Sequence, residues 1–238
     1  MDFLLLIFSV FIFLVICSAV HELGHILVGL KSGFKFYLLI VGPFGLRRKE
    51  DDKVQFFIEK DPLLWGGVGA TMPQREDIAN FKKFGYVLLG GPIFSITIGT
   101  IFLPLGITIN NIYLSLFGAM SLGMGVSCLI PARNGAFYTD GGRWLRMHKD
   151  AETREVELAI WNLNQYAIVH GNYKEASFDD IVALINDKDL RANYLGHYYA
   201  YNFYKDNDDS ENMEMEKLEL ENLKGQVPKQ VVKMFSIK

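Results

Sequence analysis

His21-Glu22-Leu23-Gly24-His25 brings two imidazoles and a carboxylate together at a spacing that can do chemistry. On a helix, residues four apart share a face, so His21 and His25 can present both rings to one metal ion. Glu22, offset by one position, can reach a water held by that ion and take its proton. Zinc accepts nitrogen, oxygen and sulfur ligands, and a hydrolytic zinc keeps one position open for water. The competing reading is coincidence. A chain with this His and Glu content shows the pattern by chance roughly once in two hundred.

Two histidines do not complete a zinc site. Asp140 is the candidate third ligand, followed by Gly141 and Gly142, which allow close backbone approach. His21 stands about 27 Å along a helix that begins at Phe3, near the same end of the apolar region from which Asp140 emerges. Spacing alone reads Asp140 equally well as a turn residue.

The elements that must hold these groups are apolar. Phe3 to Val20 carries no charge, and apolar character resumes from Ile26 to Leu30. As a helix, Phe3–Leu30 is about 40 Å long, enough for a hydrocarbon core of about 30 Å. Cys17-Ser18-Ala19 has the look of a signal-peptide cleavage site, but Asp2 replaces the expected basic residue and the run is too long. Tyr86–Gly106 and Ile112–Ile130 read as a second and third span, rich in Gly and joined by a tight Asn110-Asn111 turn. A histidine pair and a glutamate inside a span are costly to insert and so point to function.

Basic residues lie between spans one and two, from Lys31 to Lys83, and after span three, at Arg133, Arg143, Arg146 and Lys149. The Asn110-Asn111 turn has none. This places the N-terminus outside, and the long loop and C-terminus in the cytoplasm of a multi-pass protein, with a bacterial cytoplasmic membrane as the expected setting. In the loop, Phe34–Val41 is aromatic and β-branched, Gly42-Pro43-Phe44-Gly45 has turn chemistry, and Val54–Ile58 can pair back. The expected hairpin or small sheet is apolar enough to lie against the membrane.

The net charge of −3 gives no reason to expect a nucleic-acid partner. It is unevenly spread: residues 1–150 hold 14 Lys/Arg against 11 Asp/Glu, and residues 151–238 hold 10 against 16. We read a membrane domain over 1–150 and a cytoplasmic helical domain over 151–238. In the second, Glu152–Val169, Phe178–Ile185, Leu190–Tyr204 and Glu211–Leu223 have helical spacing. Their paired rhythm is weakly tetratricopeptide-like. Tyr194, Tyr198, Tyr199, Tyr201 and Tyr204 offer a face for a protein partner, with helix packing as the plainer use. Cys17 and Cys128 sit in apolar runs, and Cys17, one turn before His21, reads as a packed thiol rather than a ligand.

Three landmarks resemble the site-2 protease family of intramembrane metalloproteases. They are His21-Glu22-Leu23-Gly24-His25, then Gly90-Gly91-Pro92-Ile93-Phe94-Ser95, then Leu129-Ile130-Pro131 followed by Asp140-Gly141-Gly142. The resemblance covers about residues 1–150, with the landmarks in the family's order. It implies a mainly α membrane fold of three spans with a small membrane-associated sheet. It also implies one zinc held by His21, His25 and Asp140, with Glu22 as general base. The substrate class implied is a membrane protein or membrane-inserted peptide, guided by the sheet as an added strand. Ser95 and Cys128 stand where the family usually has Asn, at positions implied to bind the substrate backbone or the oxyanion. Ser95 can still donate a hydrogen bond, whereas Cys128 is a weak donor. An inactive, protease-like protein that binds peptides or signalling partners is therefore the alternative reading. A metal transporter is the least favoured, because three spans show no inverted repeat.

Overall fold

A computed structural model describes residues 3–49, 51–74, 77, 79–134 and 137–237; Asp2, used above, lies outside them. The chain packs as two compact units, 1–131 and 132–238. The helix that Asp140 opens therefore belongs with the C-terminal helices.

In the first unit, helix α1 (Phe3–Lys31) crosses the full first apolar stretch without a break at the His/Glu motif. It stops where Ser32 N–H bonds Val28 O and Gly33 takes φ +85°, a left-handed turn that glycine adopts at little cost. Helices α2 (Ala79–Thr108) and α3 (Ile112–Leu129) form the other two spans. All three are long and apolar enough to cross a membrane. Phe8 and Phe11 are 63% and 64% exposed, so α1 keeps a large apolar face for a non-aqueous solvent. Asn110 turns the chain with φ +53°, and Asn111 caps α3 by accepting from Leu114 N–H. Gly99, Gly106, Gly118 and Gly125 each meet the facing helix of the α2–α3 pair, so these two approach almost backbone to backbone.

The loop forms a four-stranded antiparallel sheet in the order β3-β2-β1-β4, from β1 (Phe34–Val41), β2 (Phe44–Arg48), β3 (Val54–Ile58) and β4 (Val68–Pro73). Two points differ from the sequence reading. Phe44 and Gly45 are strand rather than turn, so β3 pairs with β2 and not with β1. A fourth strand, β4, pairs along β1 with a register shift at Phe36/Leu38. Strands β1 and β4 pack on α1. On the outer pair, Phe44, Leu46, Val54, Phe56 and Ile58 form an exposed apolar face.

The second unit opens with a short hairpin, β5 (Arg133–Asn134) and β6 (Phe137–Tyr138), and then α4 (Asp140–Met147). Helices α5 (Ala151–His170), α6 (Phe178–Ile185), α7 (Leu190–Asp206), α8 (Ser210–Leu223) and α9 (Lys229–Met234) follow. Asp150, Ser177, Asp189 and Asp209 cap α5 to α8. Consecutive helices pack on one another over a core of Leu163, Ile181, Leu184, Leu195 and Tyr199. Tyr199 is buried in that core, and Tyr194 and Tyr201 are buried in a second cluster with Leu220 and Val231. Burial pushes the Tyr199 phenol far above its usual range.

Candidate metal centre

The motif on α1 faces α2. His21 and His25 are both buried, and their Nε2 atoms lie 3.2 Å apart. Each ring is anchored through its other nitrogen. His25 Nδ1 is 2.7 Å from Val87 O, and His21 Nδ1 is 3.2 Å from Ser95 Oγ. Val87 O can only accept, so His25 carries its proton on Nδ1 and turns a lone pair at Nε2 inward. Gly91 N also lies 3.3 Å from His25 Nδ1. In that contact Gly91 N–H is the donor and a protonated Nδ1 cannot accept it, so the much shorter contact to Val87 O sets the tautomer.

Ser95 Oγ both donates and accepts, so His21 has two tautomers open to it. With its proton on Nε2, it donates to His25. With its proton on Nδ1, it donates to Ser95, and two nitrogen lone pairs converge. The second arrangement fits a cation. Two nitrogens bound at about 2.0–2.1 Å in a tetrahedron stand about 3.3–3.4 Å apart, close to the separation the rings already have. An acceptor on the ring's other nitrogen sets tautomer and ring orientation of histidines at zinc sites.

Packing at the motif leaves no slack. A Cβ on Gly24 would lie 2.5 Å from Gly90 O, and one on Gly91 would lie 2.7 Å from His25 Cε1. Ser95 is fully buried, and its carbonyl accepts from Ser121 Oγ of α3 at 2.9 Å. Cys128, near the end of α3, is half-buried, with Sγ within 4.8 Å of a His21 ring nitrogen. Cys17 is buried and directs its thiol to Phe117 O of α3. Neither cysteine is in a disulfide.

Glu22 turns toward the sheet. The segment Gly66-Gly67-Val68-Gly69 runs over it. Ser18 Oγ donates to Gly66 O at 2.8 Å. A Cβ on Gly67 would lie 2.7 Å from Glu22 Oε1, and one on Gly69 would lie 2.8 Å from Glu22 Oε2. Gly67 has φ +115°, outside the range side-chain-bearing residues favour. The sequence reading missed these two glycines. Their signal was the glycine cluster just after Trp65, which sat in a stretch with no apolar pattern.

Thus α1, α2 and α3 bring together His21, Glu22, His25, Ser95 and Cys128. Asp140 is the first residue of α4, in the second unit. Thr139 caps that helix, its Oγ1 accepting from Gly142 N at 3.3 Å and from Ala132 N at 3.2 Å. His148, His170 and His197 have local partners: Trp144, Tyr166 and Glu216 respectively.

Three helices apolar enough to cross a membrane and a buried paired-histidine motif fit a membrane metalloprotease. Residues 9–235 match peptidase family M50, so nearly the whole chain, helical domain included, belongs to that family of site-2 protease-type metalloproteases. No curated protein and no solved structure gives a significant match to it.

Proposed function

We propose that this protein is a zinc endopeptidase that cuts a peptide bond in a membrane-spanning or membrane-inserted substrate. The observation that carries this is the convergence of two anchored imidazole Nε2 atoms, with Glu22 beside them, on a helix apolar enough to cross a bilayer. His21 and His25 supply two zinc ligands and Asp140 the third, as the resemblance to the family implies. When bound, zinc supplies a Lewis acid that polarises a carbonyl and makes a water acidic near neutral pH.

Glu22 takes the proton of the attacking water and returns it to the leaving amine, so the base ends as it began. Its carboxylate lies beneath β4, the edge strand on that side of the sheet. A substrate segment added along β4 would be extended, with its carbonyls exposed, and would run past Glu22. A helical substrate hides its carbonyls and has to unwind first. Of the two positions implied to meet substrate, Cys128 is half-buried and near His21, and keeps that role here. Ser95 is fully buried and bonded to His21, which suits holding the ring rather than touching substrate. The N-terminus lies outside and the C-terminal helices in the cytoplasm, following the distribution of Lys and Arg.

The test compares wild-type protein with Glu22→Gln. Both should hold one zinc per chain, and only the wild type should cleave. Membrane proteomics should show an uncut single-span protein or peptide precursor accumulating with Glu22→Gln. Full cellular function in that variant would favour a binding protein over an enzyme.

A further inference from the structure

In the second unit, Glu157 of α5 is only 2% exposed, in a helix whose other buried residues are Val156, Ala159, Ile160, Trp161 and Leu163. A carboxylate removed from water is costly unless paired and hydrogen-bonded. Glu157 is paired twice. Its Oε2 accepts from Arg143 Nε at 3.2 Å and its Oε1 from Arg146 Nε at 2.7 Å.

Both arginines belong to α4, the helix that starts at Asp140. Positions three apart on a helix are surface neighbours, so one carboxylate grips α4 at two adjacent points. Two attachment points fix rotation about the helix axis as well as position along it. Arg146 is held further by the Tyr138 ring, 4.6 Å from its guanidinium carbon, and by Asp187 at 3.8 Å. The start of the helix is fixed by the Thr139 cap. For a helix of eight residues this is an unusually dense set of polar restraints. A metal ligand needs such restraint, because a carboxylate that wanders loses affinity for the ion.

We propose that Glu157 is a positioning residue for the metal centre: through Arg143 and Arg146 it sets α4, and with it the Asp140 carboxylate, in the orientation that binds zinc. This rests on the reading of Asp140 as third ligand. It also gives a physical reason for the family match to continue to residue 235.

The test uses full-length protein in detergent and measures zinc affinity by competition with a chromophoric chelator. Glu157→Gln should weaken zinc binding about tenfold, at the low end of what outer partners of metal ligands are worth. Glu216→Gln is the matched control. It makes the same change in the same helical domain and breaks the His197–Glu216 pair between α7 and α8, and it should leave zinc affinity unchanged. Wild-type affinity in Glu157→Gln would overturn the proposal, and so would an equal loss in Glu216→Gln. Should Glu157→Gln not fold, the double variant Arg143→Lys, Arg146→Lys keeps the charges and gives up both Nε contacts. It should also lose affinity, and unchanged binding would count against the proposal. Asp140→Ala separates the two levels. Zinc lost there but kept in Glu157→Gln removes only the clamp, whereas zinc kept in Asp140→Ala removes the ligand assignment itself.

Discussion

His21 and Ser95 meet at 3.2 Å, ring nitrogen to hydroxyl, in a site fully closed to solvent on the serine side. The contact joins the first span to the second at the level of the metal motif. By accepting from Nδ1, the hydroxyl supports the His21 tautomer that leaves Nε2 free for a cation.

Ser95→Ala should therefore lower zinc affinity about 10–100-fold, the usual effect of losing a ligand's outer hydrogen-bond partner. Ser121→Ala removes a hydroxyl from the same buried cluster that does not touch His21, and should leave affinity unchanged. Chelator competition on both purified variants checks this. Equal affinity in Ser95→Ala and wild type would mean that His21 needs no such anchor.

Gly67→Ala should cut kcat about a hundredfold while zinc stays bound, because displacing a reacting group by about 1 Å can cost that much. The added methyl meets Ser18 Oγ and the Glu22 carboxylate and has to displace one of them or the backbone above them. Gly66→Ala, where a Cβ meets nothing within 4 Å, should behave like wild type. Zinc content and peptide cleavage measured on the same preparations would show whether the two effects separate.

Gly24→Ala should destabilise the first unit by about 1–3 kcal/mol, the range for forcing atoms into a packed site. The obstacle is the Gly90 carbonyl and the Phe94 Cβ, neither of them a flexible chain end. Gly123→Ala meets nothing within 4 Å and should cost little. Thermal unfolding in a fixed detergent compares the two, and similar melting temperatures would discount the close contact.

Removing zinc with a strong chelator should abolish cleavage, and restoring zinc should recover it. The same treatment should lower the melting temperature of the wild type, since a ligand at about a thousand times its Kd adds about 4 kcal/mol to stability. In His21→Ala the chelator should shift nothing. An unchanged wild-type melting curve would argue against a bound structural contribution from zinc.

The three apolar helices, the shared face of His21 and His25 and four of the C-terminal helices were legible because each follows one simple rule. Long uncharged runs give spans, and 3.6-residue spacing gives the helices from Glu152 onward. Helix α2 starts at Ala79 rather than Tyr86 because Lys82 and Lys83 interrupt the apolar run but not the helix. Strand β4 escaped notice because Gly69 and Pro73 are poor strand formers, and its pairing to β1 is set by position rather than propensity. Helix α4 is not signalled by the sequence because Gly141 and Gly142 fill its first turn. The Thr139 cap was the sign that it is helical. The anchoring of His21 by Ser95 spans 74 positions in the chain, and no local pattern encodes it.

The contact between Gly24 and Gly90 has a mechanical consequence. With no side chain between the backbones at Gly24 and Gly90, and with His25 bonded to Val87 O, the two helices cannot slide or tilt there without breaking the histidine's own tether. They form one stiff block on which both histidines ride. Whatever opening admits a polypeptide has to come from parts that lean on this block, such as the strand over Glu22, rather than from a parting of the block itself.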